Sequence, residues 1–504
     1  MPFRVMSTIL LNTLRFFRQM AEKLAAVPSE RPGSALVAGF SLASVAAIWC
    51  AVWLDRLWIL GLPFGLLILW WALVDFQRIF FVMLACIPIS TEMDLPGGFG
   101  TDFPSEPLMW LLTLASVIWF IQHWRSLDGR YFRHPITLAL FVHLAWMAVS
   151  VAASEDFVVS FKFLLAKGWY IIVFYFLAGR VLDGAWAWKH LLWWFFVPLL
   201  ITVLVILVRH APSGFSFKTV NFVMGPFYRN HVMYACLLAI FLPFVWYGTW
   251  WYRRWSMAWW LLVAGILVFI VGINFAYTRA AYVALVAAIG IRWLVRLRLM
   301  KATLTAFVFL IALFVSWLGA RGNWLEFAPD YQKTVTHTRF DNLLEATTKL
   351  EDISTMERVY RWVAASAMLQ EKPILGFGPG NFYFFYKNYT VSSFKTYVSD
   401  NPERSGMHNY YLMTAVEQGI PGVAIFIGFC FFVILRGEKV YHQTHDPARR
   451  RMLLAALLCF VLIDLLMLMN DFVETDKIGS FFFMCAAMLV NIDLGNSKHS
   501  DDTP

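Results

Sequence analysis

RRWSMAWWLLVAGILVFIVGINFAYTRAAYVALVAAIGIRWLVRLRLMK, residues 253–301, consists of two apolar runs joined by a short link that ends in Arg279 and bounded at both far ends by basic clusters. As a helix rising about 1.5 Å per residue, each run is long enough to cross about 30 Å of hydrocarbon. Neither run alternates polar and apolar residues, as a barrel strand would, so a helix is the only spanning element open to it. Arg253 and Arg254 on one side, and Arg292, Arg296, Arg298 and Lys301 on the other, then mark the cytoplasmic ends of a membrane hairpin. Its tip, with Arg279, faces the other way.

The pattern recurs outward in both directions. Apolar runs near 34–54, 57–75, 79–91, 108–123, 136–152, 161–179, 191–208, 232–250, 303–319, 410–435, 452–470 and 478–492 join the hairpin's two to give about fourteen expected spans. The expected fold class is therefore all-α, a polytopic transmembrane helix bundle of about 12–14 spans with one large loop containing short amphipathic helices. Over 504 residues the chain is 60% apolar and 14% charged, which excludes an ordinary soluble domain. The formal charge of +9 does not imply a nucleic-acid partner, because the basic residues sit at helix ends rather than along one stripe.

Arg125, Arg130 and Arg133, then Arg436, Lys439 and Arg449–Arg451, fall on the same side as the clusters that flank the hairpin. A basic head with Arg4, Arg15, Arg18, Lys23 and Arg31, lacking a cleavable apolar core, is expected to stay there too. The expected organisation is a cytoplasmic segment over 1–33, helices with short loops over 34–319, a large extracytoplasmic loop over 320–409, further helices over 410–492 and a cytoplasmic tail over 493–504. The six cysteines all lie inside apolar runs, with no CxxC pair, so neither a disulfide framework nor a cysteine metal site is implied.

Chemistry is expected in and around the hydrophilic segment from Arg321 to Met407. Within it Met356, Val359, Tyr360, Val363, Ala364, Ala367 and Met368 form a helical stripe, and Ser354 with Glu357 fits a capping box at its start. Lys372 and Pro373 end that helix. GFGPGNF at Gly376–Phe382 resembles a nucleotide fingerprint only superficially, since it follows a helix rather than a strand; a tight turn that places its neighbours is the better reading.

His408 stands where the loop re-enters the membrane, and two readings fit it: a structural histidine at the interface, or a proton acceptor suited to a hydroxyl at neutral pH. Arg279, Arg358 and Arg361 lie on the same side, and arginine grips phosphate oxygens through paired hydrogen bonds. Cations on that face oppose the usual bias, whether they snorkel or bind phosphate. A divalent metal would need carboxylates to converge from Glu92, Asp94 and Asp102 or from Asp471, Glu474 and Asp476, and neither set has a sharp metal spacing.

Three stretches, AYTRAAYVALVAAIG, ERVYRWVAASAMLQEKPILGFGPGNF and HNYYLMTAVEQGIPG, within Ala276–Gly422, resemble the O-antigen ligase and polysaccharide polymerase superfamily of bacterial inner membranes. The resemblance implies transfer of a glycan from undecaprenyl diphosphate to an acceptor sugar hydroxyl at the periplasmic face, with inversion and with neither metal nor other cofactor. It implies His408 as general base and Arg279 and Arg358 as diphosphate ligands. Arg361 and Asn409 stand beside these matches as further substrate contacts. GPFYRNHVMYA at Gly225–Ala235 departs from the pattern: Arg229 offers a third phosphate contact and His231 a rival base.

The acceptor stays open between lipid A-core, for a ligase, and a growing polysaccharide, for a polymerase. A lipid-linked glycan transporter is the rival from another class, to which Lys162, Lys167 and Asp464 in apolar runs would be suited. Membrane lipids are expected partners, and nucleic acid is not.

Overall fold

The structure, a computed structural model, describes residues 32–95, 99–320, 353–390 and 406–501. The basic head at 1–31 and most of the hydrophilic loop, 321–352 and 391–405, lie outside the described residues. The chain divides into two compact units, 1–79 and 80–504. In the first, α1 (Pro32–Leu54) turns through a short 3-10 segment into α2 (Leu62–Val74), around a small core of Ala47, Ala51 and Ile59. Trp49 stacks on Trp53, and Val52, Phe64 and Leu66 stay exposed, as suits helices whose solvent is lipid.

The second unit is a bundle of α4 (Ser105–His123), α5 (Pro135–Ala152), α6 (Phe157–Val181), α7 (Ala185–His210), α8 (His231–Gly248), α9 (Met257–Phe275), α10 (Arg279–Arg296), α11 (Met300–Gly319), α12 (Ile353–Glu371), α13 (Tyr410–Gln443), α14 (Pro447–Leu466) and α15 (Asp476–Asp501). It is entered through α3 (Phe76–Cys86). Among the described residues nine helices are long and apolar enough to cross a membrane. Of the helices outside that group, α10 and α14 have 18 and 20 residues, enough to cross but with charged ends, whereas α2 has only 13. The chain is an all-α, multi-pass membrane protein.

The expected span at 79–91 is not a full crossing. Its helix stops at Cys86, a 3-10 turn holding Pro88 follows, and Thr91–Leu95 pairs antiparallel with Phe99–Phe103, Glu92 opposite Asp102. Proline removes a donor that the helix would need, and the alternation from Thr91 onward favours a hairpin.

α8, α14 and α15 form the centre of this unit and are buried along most of their length, packing on one another and on α10, α13 and α7. Aromatic side chains fill the middle: Phe195 meets Phe241 and Phe481, and Phe482 stacks on Phe460. α11 leaves nearly all of its apolar surface exposed. Chain direction alternates through the bundle, so α8, α10, α13 and α15 all begin at one end and α14 finishes there. That end carries the candidate residues.

Candidate functional site

His408 is held by its backbone. Its φ of 56° lies in the left-handed region, which non-glycine residues enter at a cost, so the surrounding contacts must impose it. Its amide donates to Asp471 Oδ2 at 3.2 Å, and the Tyr410 amide donates to the Met467 carbonyl at 2.9 Å. From the other side, α12 reaches over: Arg361 Nη1 donates to the Gly406 carbonyl at 2.6 Å and Trp362 Nε1 to the Met407 carbonyl at 3.2 Å. Asn409 caps α13, its Oδ1 accepting from the Leu412 amide at 3.0 Å.

α12 covers the expected helix at 355–371, though the Ser354 side chain lies outside the described ones. Its buried face is rotated from the expected stripe. Tyr360, Ala364 and Met368 are buried as expected, but Ala367 is exposed, and Glu357, Arg361 and Ala365 face inward instead. The cause is polar: Arg361, only 4% exposed, pairs with Glu357 at 3.5 Å and grips the Gly406 carbonyl just before His408. Arg361 thus has internal partners for both terminal nitrogens, while its Nε is buried without one among the described residues. The hydrophobic stripe alone gave no sign of this.

GFGPGNF is the tight turn expected, and it is a strut. The amides of Phe377 and Gly378 donate to the carbonyls of Val416 and Glu417 at 3.0 and 2.9 Å, and the Phe382 amide donates to Glu417 Oε1 at 3.2 Å. Ile420 donates back to Pro373 at 2.8 Å. The turn therefore packs on the kink of α13, where Gly419 has φ 74°, and a Cβ there would collide with the Ile374 carbonyl. Two of the three stretches that carry the family resemblance are thus packed against each other.

Arg279 begins α10, half-buried, with Thr278 before it donating to the His231 carbonyl at 3.3 Å. The preceding Tyr277, at φ 52°, donates its hydroxyl to the Phe215 carbonyl at 2.6 Å. His231 starts α8 with Nδ1 2.6 Å from Asn221 Oδ1, and the exposed Arg229 lies two residues earlier. The structure therefore groups His408, Asn409, Arg358 and Arg361 directly, and Arg229, His231 and Arg279 as a second cluster at the same end of the bundle.

Between the clusters runs the link 471–477, whose carboxylates had been metal candidates. Asp471 accepts from His408; Glu474 takes Lys167 Nζ and the Tyr410 hydroxyl, each at 2.6 Å; Asp476 accepts from the Ser90 and Ser105 hydroxyls at 2.9 and 2.7 Å. Lys477 donates to Ser90 and lies over the Tyr228 ring at 5.6 Å, beside Arg229. Among the described residues no three His, Cys, Asp or Glu side chains are grouped as a metal site requires. Lys167 and Asp464, the residues suited to a transport path, are likewise satisfied inside the bundle, Asp464 by the Tyr411 hydroxyl at 2.6 Å.

Burial, reinforced by the guanidiniums of Arg358 and Arg361, pushes the His408 imidazole down to about 3, against a weaker opposing effect of Asn470. The ring is neutral at physiological pH and its lone pair can accept a proton. Burial also pushes Asp471 up to about 6, although the His408 amide and Arg361 favour its charged form. The arrangement offers a neutral base beside fixed cations, which suits proton removal from a hydroxyl next to a polyanion. Asp471 and Trp362 were not legible as parts of this site, because they hold backbone, and Asn470 because it meets the His408 side chain only through the fold.

No curated protein matches the sequence. A family profile described as O-antigen ligase matches residues 265–427, from within α9 through Arg279, α12, the glycine turn and His408 into α13. That stretch, which holds Arg279, Arg358 and His408, is similar to the O-antigen ligase family.

Proposed function

We propose that this protein is an inverting glycosyltransferase of the ligase type that moves a glycan from undecaprenyl diphosphate onto lipid A-core at the periplasmic face of the bacterial inner membrane. The family match over residues 265–427 supports glycan transfer of the ligase or polymerase kind, and the donor, acceptor and mechanism are our reading of the site. The observation that carries it is the neutral His408 ring, held at φ 56° against Arg358 and Arg361. In this reading the acceptor hydroxyl attacks the anomeric carbon from the face opposite the diphosphate. A carbon–oxygen bond forms, the sugar–phosphate bond breaks, and the electron pair leaves with polyprenyl diphosphate.

His408 takes the hydroxyl proton. Arg279 and Arg358, together with Arg229, bind the diphosphate and stabilise the charge that grows on it, which helps most where charge is greatest, in the transition state. Arg361 and Asn409 hold the His408 segment, Arg361 keeping its Nε for a substrate oxygen. A base near pKa 3 is weak, but a bound diphosphate would offset the field of Arg358 and raise His408 towards the range where proton transfer is effective.

The test is transfer by purified protein from a synthetic lipid-linked oligosaccharide to rough lipopolysaccharide, with and without chelator. Chelator-resistant product of inverted configuration is expected. Complete loss of transfer on chelation would overturn the arginine-based mechanism, and product formed only between donor molecules would replace ligase with polymerase.

A further inference from the structure

At the end of the bundle opposite His408, α8, α10 and α13 finish and α14 begins. Between these four helix ends lies a cavity of about 450 Å³ lined by Tyr247, Arg296, Tyr441, His445, Arg450 and Arg451. No carboxylate lines it. The nearest acids in sequence are engaged with backbone: Glu438 accepts from the Met300 amide at 3.1 Å, and Asp446 caps α14 through the amides of Ala448 and Arg449. The guanidiniums are set against rings, Arg450 over Tyr441 at 4.4 Å and Arg451 over Trp250 at 5.0 Å. Among the described residues none of the three lining arginines joins an ion pair.

One further group points to a ligand. Tyr247 is 6% exposed, and its hydroxyl has no hydrogen-bond partner among the described residues. Arg296 lines the same cavity. A buried hydroxyl left unpaired is unfavourable, and an acceptor oxygen in the cavity would satisfy it. Three arginines without counter-charge, a histidine and an unpaired donor at one mouth match phosphate oxygens.

We propose that this cavity binds the phosphate of an anionic lipid headgroup from the leaflet it faces, with the acyl chains lying along the exposed apolar side of the bundle. The cavity opens at helix ends, the level at which headgroups lie, and the arginines flanking it are those that the charge bias assigns to the cytoplasm. The four helices it joins carry His231, Arg279, His408 and the 467–471 turn at their far ends. A headgroup there ties together the frame on which the candidate site is mounted. The proposal does not depend on the transferase reading, since its test reads binding alone.

The experiment is native mass spectrometry on delipidated full-length protein in neutral detergent, titrated with phosphatidylglycerol against phosphatidylcholine. Wild type is expected to prefer phosphatidylglycerol by about tenfold. The triple variant Arg296→Gln, Arg450→Gln, Arg451→Gln should fall to within about twofold of no preference, while Arg253→Gln with Arg254→Gln, at the same face but outside the cavity, keeps it. Arg451→Gln alone should lose about fivefold, which tests the site even if the triple variant fails to insert. Equal preference in wild type and the cavity variants overturns the proposal. So does protection by millimolar inorganic pyrophosphate with no retention of phosphatidylglycerol, which would make the ligand a soluble phosphate.

Discussion

His408 lies between guanidiniums on α12 and a carboxylate at the end of α14, and its environment makes separable predictions. His408→Ala should reduce transfer by about 10²- to 10⁴-fold while the protein still inserts, because a proton acceptor is lost without loss of bundle packing; membrane fractionation and the transfer assay read both. Arg279→Lys and Arg358→Lys should each lose about 100-fold, since an ammonium cannot make the forked contact. Normal turnover in both would remove the clamp role. The pH profile tests the field around the ring. With the arginines uncompensated, His408 protonates only near pH 3, so the acid limb of kcat/KM set by it should lie there. A bound diphosphate raises the ring, so the acid limb of kcat should lie at higher pH. Arg358, Arg361 and Asn470 act on the ring while Asp471 holds the His408 amide, and identical limbs for both parameters would contradict diphosphate coupling. In stability the signs oppose: His408 binds fewer protons folded than unfolded, so its contribution is lost as pH falls from 6.5 towards about 3. Asp471 binds more, and its contribution is lost as pH rises from 3.8 to about 6.

At the scale of elements, the glycine turn and the kinked start of α13 form one strut. Gly419→Ala would place a Cβ against the Ile374 carbonyl at φ 74°, so we expect a loss of at least about 2 kcal/mol, read as a lower midpoint in thermal unfolding. Gly428, on the same helix but with open space around it, is the control: Gly428→Ala should be neutral or slightly stabilising. Trp362→Phe removes the hydrogen bond to the Met407 carbonyl and should cost about 1 kcal/mol, with a larger effect on kcat than on KM because the His408 segment is what it holds. The hairpin at Thr91–Phe103 shows the same dependence on neighbours: Ser90 and Ser105, just outside its strands, are fixed by Asp476 from α15.

At the scale of the whole molecule, deletion of the gene separates ligase from polymerase: lipid A-core left uncapped with full-length donor accumulating is expected, and single repeat units on the core would argue for the polymerase. The bundle explains why the catalytic candidates are dispersed in sequence. Residues 229–231, 279, 358–361 and 408 stand at one end because α8, α10 and α13 begin there and α12 lies over the start of α13.

The sequence by itself determined the all-α membrane fold, because hydrocarbon admits backbone only as helices and the apolar runs have the length to cross it. It also determined which end of each helix is basic, and, through His408, Arg279 and Arg358, the chemistry worth testing. Tertiary structure decided what side-chain identity cannot encode alone: that Arg361 and Trp362 hold the backbone of the histidine segment, that Asp471 receives the His408 amide rather than joining a metal site, and that Lys167 and Glu474 neutralise each other. Those outcomes depend on distance between residues remote in sequence, and a carboxylate's role is set by which donors surround it once buried.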